Sequence, residues 1–169
     1  MGIFDFIVNA GKALTGGKPA EPAVRGQADP ELQKKLNDQR ITGELLAEVN
    51  RLGLGADNLN INFSNGVVKV VGQTATQANR EKLILALGNI AGVAKVDENI
   101  EVVQKDPEKP PEPEAIFYTV VKGDTLSKIA KAQYGDAQKY NVIFEANKPM
   151  LSNPDKIYPG QVLRIPPLK

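Results

Sequence analysis

The sequence predicts an α+β chain of two small domains, an αββαβ unit followed by a βααβ unit, with a short N-terminal helix docked on the first. Three observations carry this. Apolar and polar residues alternate over 59–70 and again over 94–102, the period of half-buried strands. Apolar residues at helical spacing flank those runs. A Pro- and acid-rich stretch, Asp106-Pro-Glu-Lys-Pro-Pro-Glu-Pro-Glu114, separates them from a second set of strand and helix signals. The expected boundaries are an N-terminal helix over 1–16, a linker over 17–29, a first domain over 30–105, a second linker over 106–116 and a second domain over 117–167.

Phe4, Phe6, Ile7, Ala10 and Leu14 fit one side of a short helix ending at Gly16-Gly17. Such a segment either docks on the next domain or lies on a membrane surface, since a short helix is marginal alone. Residues 18–29, rich in Pro, Ala, Gly and charge, read as a linker. Asp29-Pro30-Glu31 is a helix start, with Asp as cap and Pro in the first turn. Leu32 and Leu36, then Leu45, Leu46, Val49 and Leu52, mark its apolar faces, and Gly53 and Gly55 end it.

Leu59, Ile61 and Phe63 alternate with Asn60 and Asn62 on a strand. Ser64-Asn65-Gly66 makes the hairpin turn, and the chain returns with Val68 and Val70 inward. Thr76 opens a helix carried by Ala78, Leu83, Ile84, Ala86 and Leu87. A turn over 89–93 leads to a last strand on which Ala94, Val96, Ile100 and Val102 alternate.

In the second domain Tyr118–Lys122 is a short β-branched strand followed by the Gly123-Asp124 turn. Thr125 caps a helix with Leu126, Ile129 and Ala130 on its buried face, and Gly135 stops it. A second helix spans about Asp136–Ala146, and Gln161–Ile165 is the returning strand. The join carries a net charge of −3 and the segment from residue 117 carries +4, so the second domain either docks through that attraction or hangs on a semi-rigid tether.

Composition narrows the function. With 41% hydrophobic and 24% charged residues and a net charge of +1, the chain suits a globular protein and not a dedicated nucleic-acid binder. The absence of Cys removes disulfides and thiolate metal sites, and the absence of His removes the imidazole base and the usual zinc ligand. No catalytic constellation stands in their place, so a non-enzymatic, monomeric role is expected. Met1–Ala10 has no basic region before its apolar residues and is interrupted by Asp5 and Asn9, so neither a signal peptide nor a membrane span is expected. Phe6 occupies the position where a myristoylation pattern calls for Ser or Thr. A cytoplasmic location follows as the expectation.

Backbone carbonyls can replace the water shell of a large, weakly hydrated monovalent cation, and such a site leaves little side-chain signature. The feature to seek is a bend that exposes several carbonyls. Gly88-Asn-Ile-Ala-Gly-Val93 is one. It follows a helix whose last carbonyls are orphaned and carry the negative end of the dipole. Gly88 and Gly92 allow the chain to turn there, although an ordinary Gly-rich helix exit has the same pattern. The acidic residues Asp97, Glu98 and Glu101 lack the spacing of a calcium loop and are expected on a solvated strand edge.

The G-D-T-L, E-A-N and I-Y-P-G-Q-V-L-R-I-P motifs between Phe117 and Pro166 resemble those of a LysM domain. The pattern N-x-x-x-x-N-G-V-V-K-V-V-G, Arg80 and G-N-I-A-G-V-A-K-V-D-E-N-I resemble a BON domain. The whole chain, opening M-G-[hydrophobic]-F, resembles the bacterial cytoplasmic potassium-binding proteins that join the two. That resemblance implies a K⁺ ion held by main-chain oxygens of Ile7, Ala10, Gly88, Ile90 and Val93. The N-terminal helix would then act as a lid, and the LysM domain would stabilise the bound form or report it to a protein partner. The LysM resemblance alone implies the alternative, an envelope module binding N-acetylglucosamine glycans. Its groove would lie between Gly123, Asp124, Thr125 and Leu126 and the facing Asn153, Pro154, Ile157 and Tyr158.

Overall fold

A computed structural model describes residues 2–7, 29–103 and 110–168. Its elements in chain order are β1 (Gly2–Asp5), α1 (Pro30–Leu52), β2 (Ala56–Ser64), β3 (Val67–Thr74), α2 (Gln77–Gly88) and β4 (Lys95–Val102), then β5 (Ile116–Thr119), α3 (Leu126–Tyr134), α4 (Tyr140–Ala146) and β6 (Val162–Ile165). The first domain is a four-stranded sheet in the order β1-β4-β3-β2, and the second has the two-stranded sheet β5-β6. The α+β class and the order of the two units match the sequence reading.

Local chemistry explains most element ends. Asp29 caps α1 by accepting from the Glu31 amide, and Gly53 ends it in the left-handed region. Thr76 and Thr125 accept from the Asn79 and Lys128 amides at the starts of α2 and α3. Asn65 and Gly66, with φ of 53° and 79°, close the β2–β3 hairpin. The second helix of the LysM-like unit is split, with a 3₁₀ turn at Ala137–Lys139 before α4. Its first strand runs over Ile116–Thr119, shifted from Tyr118–Lys122; Val120 still bonds Gly160 and Gln161, and Val121 already belongs to the turn that Asp124 closes.

The described part of the N-terminal segment departs from the helix expected over 1–16, the rest of which lies outside the described residues. Gly2–Asp5 is an edge strand antiparallel to β4, in register Gly2↔Glu98 to Asp5↔Lys95. Phe4 and Phe6 turn inward while Ile3 and Asp5 face out, a period of two that six residues can satisfy as well as a helical face. Pairing also covers the open edge that β4 would otherwise present. Leu32 and Leu36 are corrected too. They are 53% and 57% exposed, because α1 meets the core only from Ile41 onward.

The core centres on α2. Leu83, Ile84, Leu85, Ala86 and Leu87 are all buried, so the second half of the helix is apolar on every side. The β4–β3 sheet and α1 cover part of it, and β6 of the second domain covers the rest. Along β6, Leu163 and Ile165 join the second domain's core while Val162 joins the first. The join is docked in its described part. The Glu112 carboxylate accepts from the Ala78 amide, and the Ala115 amide donates to Glu81. This displaces the tether reading for those residues.

Gly88 is the last residue of α2, not a residue of the turn itself. Its role is space: a Cβ there would lie 2.0 Å from Phe6 Cζ. Gly88→Ala is therefore expected to destabilise the protein by about 1–3 kcal/mol through overpacking. In a Phe6→Ala background the same change should be neutral or favourable, since Ala otherwise suits a helix better. Chemical denaturation of the four proteins of this cycle measures it, and an equal penalty in both backgrounds would overturn the account.

Candidate functional site

The turn leaving α2 is held from several directions. The Asn89 amide donates to the Leu85 carbonyl at 3.0 Å, and the Val93 amide to the Ile90 carbonyl at 3.1 Å. Gly92 takes φ of 96°, a conformation for which glycine is needed. The Gly66 carbonyl, at the hairpin tip, accepts from both Ala94 and Lys95. The Ala94 carbonyl accepts from Phe6 at 2.7 Å, so the N-terminal segment is tied to one end of the turn while the Phe6 ring lies on Gly88 at the other.

Of the residues singled out for a cation, Gly88 closes α2 and Ile90 and Val93 lie in the turn that follows, all three buried. Ile7 directly follows Phe6 in the chain, which places its backbone within one residue of the turn. Its side chain is exposed. Ala10 lies outside the described residues. The carbonyls of Gly88 and Val93 accept none of the turn's own hydrogen bonds among the described residues. Neutral carbonyl oxygens near the negative end of a helix are of the donor type that suits a monovalent cation better than a divalent one.

Sequence reasoning missed Asn89. It reads as an ordinary helix-capping residue, but its side chain is buried and reaches the other domain. Its Nδ2 donates to the Val162 carbonyl and its Oδ1 accepts from the Val162 amide, both at 2.8 Å. Asn147 grips Arg164, two residues further along β6, in the same manner at 2.8 and 2.7 Å. Beside them the Arg164 guanidinium meets the Glu81 carboxylate in a buried pair.

A cavity of about 210 Å³ opens at this junction, lined by Glu48, Asn89, Ile90, Lys156, Tyr158 and Gln161 among others. Tyr158, expected at the glycan groove, thus faces the same space as Ile90 of the turn. Ile157 packs against the second domain's core, and Leu126 is buried within it. The Asp124 carboxylate accepts from the Tyr118 hydroxyl and the Val121 amide, both at 2.9 Å, while the Thr125 hydroxyl caps α3. Gly123, Thr125 and Asn153 are exposed and Pro154 is half-buried. Several groove residues therefore also close the fold.

Of the acidic residues of β4, Glu98 departs from the solvated edge expected, while Asp97 is half-buried and Glu101 is exposed. The strand lies between β1 and β3, and Glu98 is fully buried at 0% exposure. Arg80 reaches it from α2 at 2.6 Å, and the Ile100 amide donates to it at 2.9 Å. Glu101 bonds Gln73. No group of three or more His, Cys, Asp or Glu side chains among the described residues is arranged to hold a metal.

Comparison with known proteins agrees with this architecture. The BON domain family model matches residues 37–104, and the LysM domain model matches 118–166. The potassium binding protein Kbp of Escherichia coli O6:H1 (strain CFT073) is 44% identical over 167 residues, covering 98% of this chain and 99% of that protein. An uncharacterised protein of Deinococcus radiodurans is 57% identical over 49 residues, 29% of this chain and 19% of its own.

Burial works to raise the Glu98 pKa, but the Arg80 hydrogen bonds, the Ile100 amide and the Arg80 charge outweigh it and hold the carboxyl below its usual range. A carboxylate depressed in the folded state stabilises fully above its unfolded pKa of about 4.3, and that contribution fades as pH falls through the lower folded value. Unfolding free energy measured by urea titration is therefore expected to drop as pH falls below about 4. Glu98→Gln should flatten the drop, and an unchanged acid limb in that variant would contradict the assignment.

Proposed function

The chain belongs to the family of BON–LysM proteins that includes the potassium binding protein Kbp, and from this we propose that it binds K⁺ and becomes more compact on doing so. The observation that carries the reading is similarity along nearly the whole chain, both domains and the N-terminal segment included. The ion is held by main-chain carbonyls of Gly88, Ile90 and Val93 together with those of Ile7 and Ala10. The anchoring of Phe6 at both ends of the turn supports that participation of the N-terminal segment. The segment then closes the site as a strand-anchored strap, where a helical lid was expected. On this reading the protein is a cytoplasmic, monomeric K⁺ sensor or buffer without catalytic activity. No helix among the described residues is long and apolar enough to cross a membrane.

The LysM match, with Gly123, Thr125 and Asn153 exposed, supports a second reading as a module for N-acetylglucosamine glycans. Binding to chitin oligosaccharides and cell fractionation separate the two.

Titration of the full chain with KCl and with NaCl at constant ionic strength, followed by calorimetry and small-angle scattering, tests the first reading. Heat release and a smaller radius of gyration are expected with K⁺, and a weaker response with Na⁺. No response up to high-millimolar K⁺ would remove the reading. Deleting residues 1–16 is expected to abolish binding, and equal K⁺ affinity in a folded truncation would remove the N-terminal contribution.

A further inference from the structure

The outer edge of β6 needs both domains to complete it. β5 pairs with only one side of β6, with Thr119 opposite Val162 and Phe117 opposite Arg164. On the other side two asparagines supply what a neighbouring strand would: Asn147 bonds the amide and carbonyl of Arg164, and Asn89 those of Val162. Asn147 belongs to the second domain itself. Asn89 belongs to the first, and it sits between Gly88 and Ile90, two of the proposed ion donors. Its side chain is 7% exposed, so on undocking water must replace both bonds to Val162.

We propose that the Asn89 carboxamide makes ion binding at the turn and docking of the LysM domain one coupled event. This rests on the K⁺ reading above. Fixing the side chain against Val162 fixes the backbone that aims the Gly88 and Ile90 carbonyls. Conversely, an ion that orients those carbonyls holds Asn89 ready for β6. The coupling is reciprocal by linkage: whatever docking adds to ion affinity, the ion adds to docking. Asn89 is thus a positioning residue that never touches the ion with its side chain.

The test uses the full chain, with KCl titrated against NaCl at constant ionic strength, and reads calorimetry together with backbone amide NMR shifts. In the wild type the Val162 amide should move with the same K⁺ midpoint as the amides of residues 88–93. Asn89→Ala should weaken K⁺ binding by about tenfold, in the usual range of such couplings, and uncouple the Val162 amide from the titration. Asn89→Asp is the variant of equal size. It keeps the acceptor for the Val162 amide but sets a carboxylate against the Val162 carbonyl, so it should behave similarly. It decides the matter if the alanine variant does not fold. A purely structural asparagine would lower the melting temperature of these variants and leave the K⁺ midpoint of the folded protein unchanged, which would overturn the proposal. A Val162 amide that stays still in the wild type while the turn responds would overturn it as well. A wild type with no K⁺ response at all would sink the K⁺ reading and this proposal together.

Discussion

A helical stretch that is apolar on every side must be covered on every side, and residues 83–87 of α2 set that requirement for the rest of the molecule. The sheet and α1 of the first domain leave one flank open, and β6 closes it. Val162 of β6 thus joins the first domain's core, and polar contacts flank it at the junction. Two buried carboxylates in this region are each matched by an arginine. Arg80 reaches Glu98 beneath the sheet, and Arg164 reaches Glu81 across the junction. A buried charge stripped of its partner would be strongly destabilising, so these pairs fix which arrangement of helix and sheets is allowed.

The same economy governs the backbone. β6 is buried along its whole length, which leaves no solvent to satisfy its outer edge. Two asparagines spaced to meet alternate residues do so instead. An amide side chain is the only uncharged group that offers a donor and an acceptor at peptide spacing, which is why asparagine occupies both positions. The cavity between Asn89, Ile90 and Tyr158 is what remains where the two domains meet beside this contact.

Much of the fold was legible from local chemistry. Asp29, Thr76 and Thr125 announce helix starts because a cap needs only its own next few amides. Val68, Val70 and Val96 announce inward strand positions through a period set by the pleat. What stayed hidden depends on distant partners. Phe4 and Phe6 fit a helix or a strand, and only β4, far along the chain, decides between them. Glu98 looked solvated because its partner Arg80 sits on another element. At the candidate site, the grouping of Gly88, Ile90 and Val93 was visible as a glycine-flanked helix exit. The reason for Gly88 was not, since it is the Phe6 ring. Asn89 gave no signal beyond that of a common helix terminator.

The position of β1 has a consequence for the order of events during synthesis. Gly2–Asp5 is synthesised well before its partner residues Lys95–Glu98, so it waits for nearly the whole first domain before it can pair. Closing so long a loop is favoured only once the remaining strands are in place. This early-made stretch is thus among the last to be secured, and the turn that Phe6 braces is completed only after the surrounding scaffold exists.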